Sequence, residues 1–178
     1  MELGFWRNVP TRIKRVLTIM MFFFLSVTVT VAGILTPLSS ERASEMREEM
    51  EEIRENVSLQ FIFGNNFMIC LAIFVPFAGP IFGSYVLYNT GVVIAAESIA
   101  EGLPSLLVLV FLFAFPFTWL EFLAYSMAFS QSAWLIWRII QHRGRDELVC
   151  TCILVSICAV MLLIAAITEI ILISSLGG

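Results

Sequence analysis

Residues Pro116 to Ser132 have the sequence PFTWLEFLAYSMAFSQS, which places one acidic residue, Glu121, inside a strongly apolar segment. Small and polar residues lie three and four positions apart around it, so that on a helix they share one face: Thr118, Glu121, Tyr125, Ala128 and Ser132. An ionisable side chain at membrane depth costs about 2.5 to 3.5 kcal/mol on insertion scales, so by default it marks a functional site. The stretch therefore predicts a membrane helix with a polar, ligand-binding or ion-binding face.

Composition predicts membrane residence for the whole chain. Hydrophobic residues make up 60% of the 178 residues and the mean hydropathy is +0.95, whereas a soluble domain is about half apolar. A spanning helix needs about 20 apolar residues, so we expect an all-α, polytopic membrane helical bundle with five or six spanning segments. Little chain is left over for a soluble domain, and residues 1–178 are predicted to form one integral membrane domain.

The net charge of −4 comes from one segment of the chain. Residues 41 to 55 contain seven acidic residues and three arginines, and the remaining chain has seven of each sign. Because no basic excess is left, nucleic acid is not expected as a partner. The lipid bilayer is the expected partner.

Residues 1–16 form a basic segment with aromatic anchors, predicted to lie at the membrane surface. Its Lys and Arg residues favour a cytoplasmic N-terminus in a multi-pass protein of the cell membrane. The apolar run from Val16 to Leu38 exceeds the 7 to 15 residues typical of a signal peptide, so an uncleaved first span is favoured over a signal peptide. Small residues form a stripe along that span for packing against neighbours: Thr18, Ser26, Thr30 and Gly33.

Residues 39–57 predict an acidic, amphipathic helix outside the membrane, with Pro37, Ser39 and Ser40 separating it from the first span. Its apolar residues recur at helical spacing: Ala43, Met46, Met50, Ile53 and Val57. One interpretation is a solvated cap lying across the bundle. The other is a Met-rich surface that docks protein partners, or an acidic rim that attracts cations toward a pore mouth.

The apolar run from Leu59 to Ser98 is too long for one span, and its interruptions at Pro76, Gly79-Pro80 and Gly83 predict two spans joined by a tight turn. Asn65 and Asn66 are expected just before one of these spans, and Asn89 within the other. Their amides need hydrogen bonds in a dry setting, which favours pointing toward one another or toward a ligand.

Residues Leu103 to Ile140 must contain a break if both basic clusters, near the N-terminus and at 138–145, are cytoplasmic. That placement requires an even number of crossings between the clusters, but the segment would form about 57 Å of continuous helix against an apolar core of about 30 Å. A half-helix ending at Phe115 and a second helix beginning at Pro116 would satisfy both constraints. Two full crossings, which would reverse the second loop, are the alternative.

Three further carboxylates are secondary site candidates. Glu97 and Glu101 share a helix face, where exposure at the interface is the ordinary explanation. Glu169 belongs to the final predicted span, Leu148 to Ser174, and is expected to lie near its far end.

Enzymatic chemistry is not expected. The chain has one aspartate, Asp146, and one histidine, His142, in a polar loop, so it lacks the Ser-His, paired-Asp or HExxH arrangements of intramembrane enzymes. No cofactor or metal is predicted. The four cysteines are interpreted as packing residues: Cys70, Cys150, Cys152 and Cys158.

Three motifs between residues 60 and 132 resemble the stage II sporulation protein M-like family of integral membrane proteins: FGNN at 63–66, GPIFGSYVLYNTG at 79–91, and Pro116 followed five residues later by Glu121. In that family His-Gly usually follows the proline, whereas here Phe117 and Thr118 do. The resemblance implies a polytopic membrane protein. The namesake belongs to a membrane complex with peptidoglycan-degrading partners.

Two functions follow from these patterns. In the first, the chain is a transporter or channel-like protein in which Glu121, Asn65, Asn66, Asn89 and Tyr125 bind a cation, a proton or a small polar solute. In the second, the bundle is a scaffold that recruits protein partners through the 41–57 helix. The small residues along several spans suit self-association into a homo-oligomer and packing within one bundle equally well.

Overall fold

The computed structural model describes residues 10–55 and 58–176, and over these residues it contains seven α-helices and no strand. The helices are α1 Thr11–Ile34, α2 Ser40–Glu55, α3 Leu59–Phe74, α4 Ala78–Glu101, α5 Ser105–Phe113, α6 Pro116–Ile140 and α7 Leu148–Leu176, with a short 3-10 helix at Gly144–Glu147. The all-α prediction is therefore confirmed.

Two segments among the described residues are long and apolar enough to cross a membrane, Thr11–Ile34 and Leu148–Ser175. Helices α4 and α5 together form a third such unit, bent by 114° at their junction. Large apolar side chains cover the outside of the bundle, with Ile81 75% and Val149 71% exposed. These features suggest membrane association.

Most of the predicted surface segment, residues 1–9, lies outside the described residues. From Thr11 onward the chain forms the first turn of α1. The helix begins after Pro10, which has no N–H to donate and suits a helix start. It ends at Ile34, four residues before the predicted end of the span.

Helices α1 and α4 approach each other through glycine. A Cβ atom added to Gly33 would lie 2.0 Å from the carbonyl oxygen of Tyr88, and one added to Gly91 would lie 2.0 Å from that of Thr30. Ser26 and Thr30 are also buried along this line. The predicted small-residue stripe therefore packs within the chain, because only glycine permits the two backbones to come so close.

A tight turn joins two helices as predicted, at residues 75–77 around Pro76, whereas Gly79, Pro80 and Gly83 lie inside α4 and do not interrupt it. Pro80 falls in the first turn of α4, where a missing N–H leaves no hydrogen bond unmade. The structure corrects the position of two amides, since Asn65 and Asn66 lie inside α3 and not before it.

The predicted break near Pro116 is also confirmed, since α5 ends at Phe113 and α6 begins with the proline. The carbonyl groups at the end of α5 are satisfied by side chains of α6: Thr118 Oγ1 donates to Leu112 O at 2.7 Å and Trp119 Nε1 to Phe113 O at 2.7 Å. A helix end in an apolar setting requires such partners.

Helices α1 and α6 are antiparallel neighbours. Arg15 contacts Gln131, whereas Phe23 stacks on Trp119 with ring centroids 5.7 Å apart. The first turn of α1 and the last turn of α6 therefore lie at the same end of the bundle. Helix α2 lies at the opposite end, where its residue Ala43 is buried beside the last turn of α4.

Candidate functional site

Glu121 lies on the inward face of α6, and its carboxylate has an amide partner on α3. Asn66 Nδ2 donates to Glu121 Oε1 at 2.6 Å. The face predicted from helical spacing is buried as expected, with Thr118 and Tyr125 6% and 7% exposed and Ser132 fully buried. Two helices distant in sequence therefore meet at this carboxylate.

A cavity of about 460 Å³ lies next to Glu121. Its lining includes polar side chains from three helices: Asn65, Asn89, Thr90, Thr118 and Glu121. Met50 of the acidic helix α2 also lines it, so α2 reaches over this cavity. The three asparagines singled out in the sequence are thus all brought to the same region.

The three amides are not equivalent. Only Asn66 has a hydrogen bond to Glu121. The amide of Asn89 donates to the carbonyl oxygen of Tyr85, one turn earlier on its own helix, at 3.1 Å. Asn65 is exposed toward the cavity. Asn66 therefore positions the carboxylate, while Asn65 and Asn89 contribute polar atoms to the cavity wall.

Glu169 belongs to α7, which packs directly against α6. The sequence ranked it below Glu121 because it lies near the end of its predicted span. Glu169 is not among the side chains that line the cavity beside Glu121, so it stays a secondary candidate.

The other secondary candidates lie elsewhere. Glu97 and Glu101 belong to the last two turns of α4, and neither lines the cavity beside Glu121. Within residues 10–55 and 58–176, no group of three or more His, Cys, Asp or Glu side chains is placed to hold a metal ion. In the same part of the chain no ion pair to Glu121 is formed.

Sequence reasoning missed a second polar centre, at the opposite end of the bundle. The carboxylate of Glu147 is 4% exposed and pairs with two arginines, Arg15 Nη2 at 2.5 Å and Arg138 Nε at 3.1 Å. Gln131 accepts a hydrogen bond from Arg15 at 3.0 Å and donates to Thr151 at 2.9 Å. The available signal was Gln131 itself, a buried amide in an apolar helix, which requires partners.

The cysteines divide into two kinds. Cys70 and Cys158 are fully buried, each with its Sγ directed at the carbonyl oxygen of Ala124, at 3.9 and 3.5 Å. These two fill the core as predicted. Cys150 departs from the packing interpretation because Arg15 Nη1 lies 3.0 Å from its sulfur. Cys152 and His142 are exposed.

Glu147 predicts an acid-sensitive contribution to stability. Burial alone would raise the pKa of Glu147, but hydrogen bonds and positive charge from Arg15, with hydrogen bonds from Gln131 and Arg138, lower the pKa below its ordinary value of 4.5. A carboxyl group whose pKa is lower in the folded state than in the unfolded state stabilises the fold. This contribution is complete at pH values above the unfolded-state pKa and is lost as the pH falls through the folded-state pKa.

The stability difference between the parent chain and Glu147→Gln should therefore be constant near neutral pH and shrink on acidification below 4.5. Thermal unfolding across a pH series measures it. A difference that grows as pH falls would contradict the assignment.

Comparison of the chain with protein-family models, curated proteins and solved structures found no match. The function is therefore inferred from the two polar centres and from the helices that hold them.

Proposed function

We propose that this chain is a non-catalytic, multi-pass membrane protein that binds a small cation or a proton at Glu121. The observation that carries the proposal is a carboxylate hydrogen-bonded by Asn66 beside a cavity lined by amides and hydroxyls. Carboxylate, amide and hydroxyl oxygens are the ligands that hard cations prefer. Asn66 holds the Glu121 carboxylate in place.

The proposed topology has five crossings, α1, α3, α4, α6 and α7, with the N-terminus in the cytoplasm. The antiparallel contacts of α1 with α6 support it, because they place the basic residues of both helices at one end, as the positive-inside bias requires. Helix α3 is about 24 Å long, shorter than the apolar core of about 30 Å. Asn66 lies in the middle of this helix.

The acidic helix α2 acts in this proposal as a cap that concentrates cations. Its apolar residue Ala43 is buried against α4 and Met50 lines the cavity. Its acidic residues Glu41, Glu45, Glu48 and Glu49 are exposed. A cluster of one charge sign near a cavity raises the local concentration of counter-ions. This packing favours the cap interpretation of α2 because its Met-rich face is turned toward the bundle. In the scaffold interpretation that face would dock protein partners.

The family proposal rests on the same residues. The FGNN motif lies in α3 and supplies Asn66, the glycine-spaced run begins α4, and the Pro-Glu pair begins α6 and supplies Glu121. All three motifs therefore contribute to one region of the fold. This convergence supports placing the chain among stage II sporulation protein M-like proteins.

The test is Glu121→Gln in the full chain, reconstituted in lipid nanodiscs and titrated with Na⁺, K⁺ and Mg²⁺ over a range of pH. Occupation of the site at 100 times Kd should stabilise the parent by about 2.7 kcal/mol, read as a rise in Tm. Glu121→Gln should abolish that rise while leaving the helical circular dichroism unchanged.

Glu101→Gln is the matched control, because it removes an exposed carboxylate that does not line the cavity. It should retain the full cation-dependent rise in Tm. Equal cation and pH responses in the parent and in Glu121→Gln would overturn the binding site. In that case, loss of partners on charge reversal of α2 would support the scaffold instead.

A further inference from the structure

A second cavity, also of about 460 Å³, lies between the first turns of α1 and the last turns of α6. Its wall combines basic, hydroxyl, amide and indole groups: Thr11, Lys14, Thr18, Trp134, Arg138 and Gln141. Trp137 completes the wall and is 51% exposed. The cavity is at the opposite end of the bundle from α2, so it is separate from the cation site proposed above.

The two chain segments that form this end are strongly basic. Residues 11–16 and 138–147 together contain six Lys and Arg and two acidic residues, a net charge of +4. The arginines are held in place: Arg15 and Arg138 pair with Glu147, and the Arg15 guanidinium lies 5.0 Å above the ring of Trp134. Of these cations, Lys14 and Arg138 line the cavity.

The tryptophans indicate the depth of this cavity in a membrane. Tryptophan is enriched where the apolar core meets the headgroups. The Trp134 indole donates to Thr18 Oγ1 at 3.2 Å, which fixes the ring between α1 and α6. A basic cavity between helices at that depth has the chemistry that binds phospholipid headgroups.

We propose that the cavity between α1 and α6 binds the phosphate of an anionic phospholipid headgroup. Lys14 and Arg138 supply the charge, Thr11 and Gln141 supply hydrogen-bonding groups, and Trp137 packs beside the glycerol and upper acyl carbons. The proposal concerns a binding site only and does not depend on transport at Glu121.

The test uses the full chain purified in neutral detergent, with phosphatidylglycerol as the probe and native mass spectrometry plus the lipid-dependent Tm as readouts. A basic residue near an anionic lipid contributes about 1 kcal/mol, which is about a fivefold change in affinity. Lys14→Gln should therefore weaken phosphatidylglycerol binding about fivefold. Arg12→Gln is the matched control, with the same charge change on the same turn of α1 but outside the cavity, and should retain the parent affinity.

Inorganic phosphate and glycerol phosphate distinguish the two sources of this chemistry. If these soluble phosphates compete with phosphatidylglycerol, and raise the Tm of the parent but not of Lys14→Gln, the cavity is a phosphate site that also binds soluble ligands. If phosphatidylcholine binds as tightly as phosphatidylglycerol, or if Lys14→Gln and Arg12→Gln lose affinity equally, the proposal is overturned. Trp137→Leu changes a half-exposed side chain of the cavity wall and should also weaken phosphatidylglycerol binding. Unchanged binding in both Lys14→Gln and Trp137→Leu would overturn the proposal as well.

Discussion

Replacing Gly91 with valine is expected to separate α1 from α4 and to destabilise the chain by about 3 kcal/mol or more, at the upper end of overpacking costs. A Cβ atom at this position would lie 2.0 Å from the carbonyl oxygen of Thr30 and 2.9 Å from the amide nitrogen of Ile34. Both are backbone atoms, so no side chain can rotate away to make room. The helices would have to move apart, which would also expose the buried Thr30 and Ser26.

Thermal unfolding of the full chain in detergent, followed by size-exclusion chromatography, measures this effect. The control is Gly64→Ala on α3, where an added Cβ meets no atom within 4 Å. Alanine is the better helix former by about 1 kcal/mol, so the control should be as stable as the parent or more so. A Gly91→Val variant that melts with the parent would show that α1 and α4 do not pack as described.

The substitution Glu147→Ala is expected to destabilise the chain by about 3 to 5 kcal/mol, the cost of removing one partner from a buried ion pair. The two arginines it leaves behind are 23% and 24% exposed at their side chains. Without the carboxylate, their positive charges would face each other across α1 and α6. The ion-paired connection from α1 to α6 through this carboxylate would be lost.

Chemical or thermal unfolding at neutral pH measures this loss. Glu45→Ala is the matched control, because Glu45 pairs with Arg42 at 2.8 Å but both side chains are more than half exposed. A surface pair contributes less than about 1 kcal/mol. Equal stabilities of the two variants would contradict a structural role for the Glu147 centre.

Features that depend on neighbouring residues could be predicted from the sequence. Pro116 had to begin a helix because it has no N–H, and the 38-residue segment around it was too long for one span. Glu121 had to share a face with Thr118 and Tyr125 because helical spacing is invariant. The small residues of α1 were recognised as a packing surface for the same reason, although their partner on α4 was not.

Contacts between distant segments could not be predicted. Arg15 meets Gln131 and Glu147 across 116 and 132 residues of chain, and no local pattern connects them.

By itself the sequence determined that the chain is helical, where its helices break, and which face of α6 is polar, since these follow from backbone sterics and side-chain spacing within about one turn of helix. Only the tertiary structure decided which polar groups meet. Asn66 is the partner of Glu121, and Glu147 is the carboxylate that joins two arginines. The reason is that burial obliges each polar group to find a partner but leaves the choice of partner to the packing of the helices.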